Sequence, residues 1–175
     1  RYIIDSFSLN RKKVDLALLK TPGHTPDHQS PFFIINDEID FVFLGEAAGT
    51  IYHSTELMTM PTSMPIYFEY EPYKKSLENI KQLNAKSAGF CHFGVVCGRE
   101  NVEYILDENE SFTKEFRSKI IQFYEHKPET KYIVKRIMPY LTPRTDLIGN
   151  DHPIMKNIVL GVVYGMMMDL GYRKD

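Results

Sequence analysis

The stretch "KTPGHTPDHQSPFFI" (residues 20–34) constrains this chain more than any other. His24 and His28 stand four residues apart, the spacing at which one face of a helix could offer both imidazoles to a single metal ion. Pro26 lies between them. It has no backbone N–H, its ring clashes with the preceding turn, and it pushes Thr25 towards extended conformations. The segment therefore reads as a rigid loop after the apolar run "VDLALLK" (14–20), delivering a side chain before the next apolar run begins at residue 31.

Around that loop, apolar and β-branched runs predict strands near 1–5, 14–20, 31–36 and 40–44, the last two joined by a hairpin turn in "NDEID". Residues 50–72 form a long connection rich in Pro, Met and Tyr, of the kind that serves as a wall or lid. Its Met and Tyr side chains suit either an apolar acyl pocket or packing of the loop on the core. Residues 73–83 place Leu77, Ile80 and Leu83 on one helical face. "SAGFCHFG" (87–94) is a short apolar strand, after which Val102, Ile105 and Leu106 resume helical spacing. Further helices are expected near 112–126, 129–141 and 153–170, the last opened by Pro153 and closed by Gly171. Alternating strands and helices predict an α/β part at 1–110, and the helical remainder an α-helical extension at 111–175.

A chain of 175 residues can bury roughly 70% of its unfolded surface, so a folded core is expected. A net charge of −2 gives no basic footprint for nucleic acid or an anionic membrane. The most apolar stretch, "IVLGVVYGMMM" (158–168), falls short of the roughly 20 residues that cross a bilayer. It is expected to be a buried helix or an interface, with "GVVYG" spaced for close packing. Two cysteines make no disulfide framework, and "RYIIDSFSLN" lacks the uninterrupted apolar core of a signal peptide, which predicts a cytoplasmic setting. Cys91 and Cys97 read as small buried hydrophobes. His53, His126 and His152 read as surface or capping residues. An arginine at position 1 fits a piece of a longer chain.

Three strand-like segments end in groups suited to metals or proton transfer: His24 after 14–20, Glu46 after "DFVFLG" (40–45), and His92 after "AGFC". In sheets with helices packed on them, ligands gather at the carboxyl ends of strands, so three such ends point to one shared site. Two imidazoles and a carboxylate form a ligand set for catalytic zinc, with a position left open for water. Taken singly, each donor has a plainer reading: a hydrogen-bonding loop histidine, or a solvated acidic cap after a strand.

In this order, "TPGHTPDHQS", "FVFLGEAAG" and "GFCHFG" resemble the second half of the metallo-β-lactamase-fold hydrolase family. There the pattern runs close to TPGHTPGH, then a strand ending in GD, then a strand ending in a metal-binding histidine. The resemblance covers residues 14–95. It implies an α/β fold, half of an αββα sandwich, with a C-terminal helical extension. It also implies a metal site in which His24 and His92 match histidine ligands, while Glu46 stands where the family has an aspartate bridging two metals. His28 then supports the loop through hydrogen bonds. Glutamate reaches one methylene further than aspartate, roughly 1.5 Å. The family's HxHxDH signature, which supplies most of the remaining ligands, does not occur in this chain.

The resemblance implies a metal-dependent hydrolase that turns water on a small ester or thioester, using one or two ions of zinc or another divalent metal such as iron or manganese. No further catalytic residue is assigned. The alternative is a catalytically incomplete domain serving as an interaction or metal-binding module, with the 158–168 helix as its contact surface. The expected partners are a small-molecule substrate and, to cover the sheet face left bare, a second copy of the chain (a homo-oligomer) or the missing N-terminal half. Neither nucleic acid nor membrane is expected.

Overall fold

The computed structural model describes residues 2–92, 94–146 and 153–174. His152 lies outside the described residues. Strands β1 (Tyr2–Leu9) and β2 (Lys12–Lys20) form an antiparallel hairpin turned at Asn10 and Arg11, with φ of 51° and 64°. A second hairpin joins β3 (Gln29–Ile35) to β4 (Glu38–Gly45) through Asn36 and Asp37, with φ of 53° and 64°. Two successive positive φ values give the tight turn whose twist matches the flanking strands, and after Gly it is Asn and Asp that tolerate them best. The turn in "NDEID" was therefore legible, whereas "NR" carries no such signal, and β1 runs past the expected residue 5 to Leu9.

After β4 the chain crosses over through β5 (Thr50–Ile51) and β6 (Thr59–Met60), which pair as a small ribbon, and then α1 (Tyr70–Lys81). It returns as β7 (Ser87–Phe90), parallel to β4, and β8 (Gly94–Cys97) closes the sheet in the order β1-β2-β3-β4-β7-β8. The remainder is helical: α2 (Arg99–His126), α3 (Thr130–Leu141), a 3-10 turn at Thr142–Arg144, and α4 (Pro153–Asp169).

The separate helical segments expected from 102 and from 112 are one helix of 28 residues. No Gly or Pro interrupts it, and the polar residues that resembled a break are used inside. Asn109 is fully buried, accepting from the Tyr73 hydroxyl at 2.7 Å and donating to Thr59 Oγ1 at 3.0 Å. The division expected at 110/111 thus falls within α2, and one apolar core includes residues from both sides of it.

Side chains alternate across the strands. Ala17, Phe32, Val42, Leu44 and Ala88 point to the helical side and join Leu77, Ile80, Val102 and Ile105 in the core. From α4, Val159, Val162, Val163, Met166 and Met167 are buried as well. Most of the apolar side chains of 158–168 are therefore buried inside the molecule, as the buried-helix reading expects, while Leu160 stays 43% exposed. Among the described residues no helix is long and apolar enough to cross a membrane.

The opposite sheet face carries Leu16, Leu18, Phe33, Phe41 and Phe43, all half-buried or exposed. The Phe33 and Phe41 rings lie 6.2 Å apart, and Phe7 meets Phe33 edge-on at 6.5 Å. Both cysteines, expected in the core, are exposed. Cys97 sits on β8, the last strand of the sheet, and Cys91 lies in the turn after β7, where strand alternation no longer applies.

Candidate metal centre

Between β2 and β3 the chain makes the Pro-rich loop of residues 21–28. Its base is closed by Thr21, whose N–H donates to the His28 carbonyl at 2.9 Å. The Thr21 hydroxyl shares hydrogen bonds with His28 Nδ1 at 2.8 Å and Ser30 Oγ at 3.0 Å. The tip rests on α1: the Gly23 carbonyl accepts from Glu69 N–H at 2.9 Å, and the Pro22 carbonyl from Ser76 Oγ at 2.6 Å. Gly23 adopts φ 136°, and a Cβ there would collide with the Tyr73 backbone. Only glycine satisfies both the dihedral and the approach. His24 is thus held on a loop clamped at its base and its tip.

His24 Nδ1–H donates to the Thr62 carbonyl at 2.8 Å, which directs Nε2 the other way, to 2.6 Å from Glu46 Oε2. The second oxygen of Glu46, Oε1, lies 3.3 Å from His92 Nε2. The Thr62 hydroxyl donates to the Glu46 carbonyl at 2.9 Å, tying this segment to both residues. The Tyr52 ring stacks on His92, centroids 5.9 Å apart at 20°. Three side chains predicted from the ends of β2, β4 and β7 therefore meet at one carboxylate. The His24 and Glu46 side chains are 14% and 26% exposed against 48% for His92, so solvent reaches the group from the His92 side.

The electrostatics follow from these contacts. Burial works to lower the pKa of His24, but the Glu46 hydrogen bond, the Thr62 carbonyl and the Glu46 charge outweigh it, and the pKa is raised. The His24 hydrogen bond holds Glu46 below the usual carboxylate range, against burial and with help from the charges of His24 and His92. His28, its ring 6.1 Å from that of His24, has its pKa lowered by burial first and by His24 second. Burial pushes the Tyr52 phenol up; the Thr50 hydrogen bond opposes this, and Glu46 and Cys91 add to it.

The donors suit a divalent metal. A metal-binding histidine ordinarily donates its other ring N–H to a carbonyl or carboxylate, and His24 does so to Thr62. Glu46, Cys91 and His92 each offer one atom within 4.8 Å of the others. Two ligands of one zinc-like ion stand at most about 4.4 Å apart, so small adjustments close the group. Cys91, Thr62 and Tyr52 were not among the residues predicted. Cys91 adjoins His92, but strand alternation would turn it to the other face of the sheet, whereas Thr62 acts through its backbone carbonyl, for which a sequence has no signal. Elsewhere, His53 Nδ1 accepts from the Glu56 backbone N–H at 3.1 Å, and His126 is exposed. A groove of 740 Å³ between α3 and α4, floored by Val134, Met138 and Leu160, shares no residue with this centre.

A mixed six-stranded sheet backed by helices, with imidazoles and a carboxylate gathered at its strand ends, defines a class of fold. Comparison names it. The chain is 32% identical over 98 residues to the metallo-beta-lactamase fold-containing protein ST1585 of Sulfurisphaera tokodaii, covering 54% of this chain and 34% of that protein. The crystal structure of the archaeal protein ST1585 from Sulfolobus tokodaii superposes with a TM-score of 0.52 at 21% identity, over 93% of this chain and 48% of that one. The metallo-beta-lactamase family protein TTHA1429 from Thermus thermophilus gives 0.56 at 15% identity, over 98% and 48%. The inverting sec-alkylsulfatase Pisa1 from Pseudomonas sp. gives 0.51 at 8% identity, over 95% and 25%. No family model matches the chain. The chain has part of the metallo-β-lactamase fold, and it spans about a third of the curated relative's length.

Proposed function

We propose that this chain supplies part of the active site of a metal-dependent hydrolase, with His24, Glu46 and His92 as metal ligands. The observation that carries the reading is the convergence of two imidazole Nε2 atoms on the two oxygens of one carboxylate, from three separate strand ends. A bound zinc, iron or manganese ion, or a pair of them, supplies a Lewis acid and a water acidified to near neutral pH. The chain's own residues prepare for this. Thr62 fixes the His24 tautomer, Glu46 presents both oxygens, Tyr52 holds the plane of the His92 ring, and exposure on the His92 side gives a substrate its path in. A small ester or thioester is the substrate class we favour, because the chain has no basic surface to draw in a polyanion.

The test is the metal content of the full-length natural protein and of its Glu46→Gln variant, which keeps the size of the side chain and deletes its charge. Wild type should carry metal and hydrolyse ester or thioester substrates, and both properties should fall sharply in Glu46→Gln. Equal metal in the two proteins would remove Glu46 from the site and refute the reading.

A further inference from the structure

The thiol of Cys91 has no place in the ligand set above, yet it stands beside two of its members, Glu46 and His92. β7 ends at Phe90, which pairs with Gly94 across the hairpin, so residue 91 begins a turn. Were β7 to continue, Cys91 and His92 would face opposite sides of the sheet. The turn instead brings Cys91 Sγ, an imidazole nitrogen of His92 and a Glu46 oxygen within 4.8 Å of one another. His92 is fixed against Tyr52 on one side and meets Glu46 Oε1 on the other. Cys91 is exposed at the turn, whereas Cys97, at the far end of β8, belongs to no such cluster among the described residues.

We propose that Cys91 is itself a ligand of this centre, binding the metal ion as a thiolate beside His92 and Glu46, so that the site is a mixed nitrogen, oxygen and sulfur one. On binding, the thiol proton passes to solvent and the sulfur lone pair to the ion, with no change of oxidation state. A sulfur donor shifts selectivity towards zinc, cobalt and other borderline-soft ions, and away from manganese and magnesium, which prefer oxygen. The inference rests on the metal-site reading above, and its test separates the two.

Cobalt(II) is the probe, because its d–d bands report binding and a near-ultraviolet charge-transfer band reports a thiolate ligand. The full-length natural protein loaded with cobalt should show both. Cys91→Ser and Cys91→Ala should keep d–d absorption but lose the charge-transfer band, with metal affinity reduced roughly 10- to 100-fold, at least what the loss of a supporting contact costs. Cys97→Ser should keep both bands. Cobalt binding with no charge-transfer band in wild type, or a band unchanged in both Cys91 variants, would overturn the role of Cys91 and leave the metal site standing. Absence of d–d bands from wild type would refute the metal site, and the thiolate with it. Circular dichroism of the variants checks that they fold, as substitutions at an exposed position ordinarily do.

Discussion

At the scale of single residues, the question posed by glutamate in place of aspartate has a geometric answer. Glu46 reaches His24 at 2.6 Å and His92 at 3.3 Å with different oxygens, so its full length is in use. Glu46→Asp draws the carboxylate back by roughly 1.5 Å, one C–C bond, from both histidines. Metal sites tolerate about 0.5 Å of misplacement. We therefore predict that Glu46→Asp loses metal affinity rather than gaining it, which competitive titration with a chromophoric chelator would measure; a gain would mean the backbone had never adapted to glutamate. Gly23 gives a second prediction. Gly23→Ala sets a Cβ against the Tyr73 backbone at a dihedral that L-residues avoid, and should cost roughly 2–6 kcal/mol, the sum of overpacking and backbone strain. Chemical denaturation would show it, and a loss under about 1 kcal/mol, the low end of either contribution, would mean that the loop is not pressed on α1 as described.

Secondary-structure elements show what the sequence could and could not disclose. The hairpin at Asn36–Asp37, α1, α3 and α4 lay close to their expected places because local chemistry decides them: turn residues with positive φ, an apolar helical face, a proline opening and Gly171 at the end. Local rules failed where tertiary contacts overrode them. Asn109, polar by type, is buried on Tyr73 and Thr59, so α2 is continuous. Cys91 lies just past the last strand residue, so alternation gave it the wrong environment. The three donors were legible since each follows an apolar run, whereas Thr62 was not, since it acts through a backbone carbonyl that every residue type carries. Gly161 and Gly165, spaced as for a helix partner, instead seat α4 on the 63–64 segment: the Ser63 hydroxyl donates to the Val162 carbonyl at 2.8 Å, and a Cβ on Gly165 would collide with the Ser63 carbonyl oxygen. Gly165→Ala should therefore cost roughly 1–3 kcal/mol through overpacking and, by displacing the neighbouring Thr62 carbonyl from His24, weaken metal binding from a distance. Denaturation and metal titration on the same samples would check this; lost stability with unchanged affinity would break the proposed link from α4 to His24.

The molecule as a whole is lopsided. Helices cover one face of the sheet, and the other presents Phe7, Leu18, Phe33, Phe41 and Phe43. Single exposed hydrophobes are ordinary, but a contiguous aromatic face is not, since monomeric proteins rarely leave apolar patches beyond about 300–600 Å² open to water. Over 93% and 98% of its own length the chain superposes on two solved structures of the same fold, and it covers 48% of each of them. We expect this face to be covered, in the natural protein, by residues of the same polypeptide beyond those of this chain. Hydroxyl-radical footprinting of the full-length protein tests it: Phe33, Phe41 and Phe43 should be protected, after correction for intrinsic reactivity, while Tyr67, 57% exposed, reacts. Light scattering identifies the cover. A monomer with protected phenylalanines places the cover within one polypeptide; a dimer that Phe43→Glu dissociates would assign the face to a second copy and overturn the expectation, as would three phenylalanines that react freely.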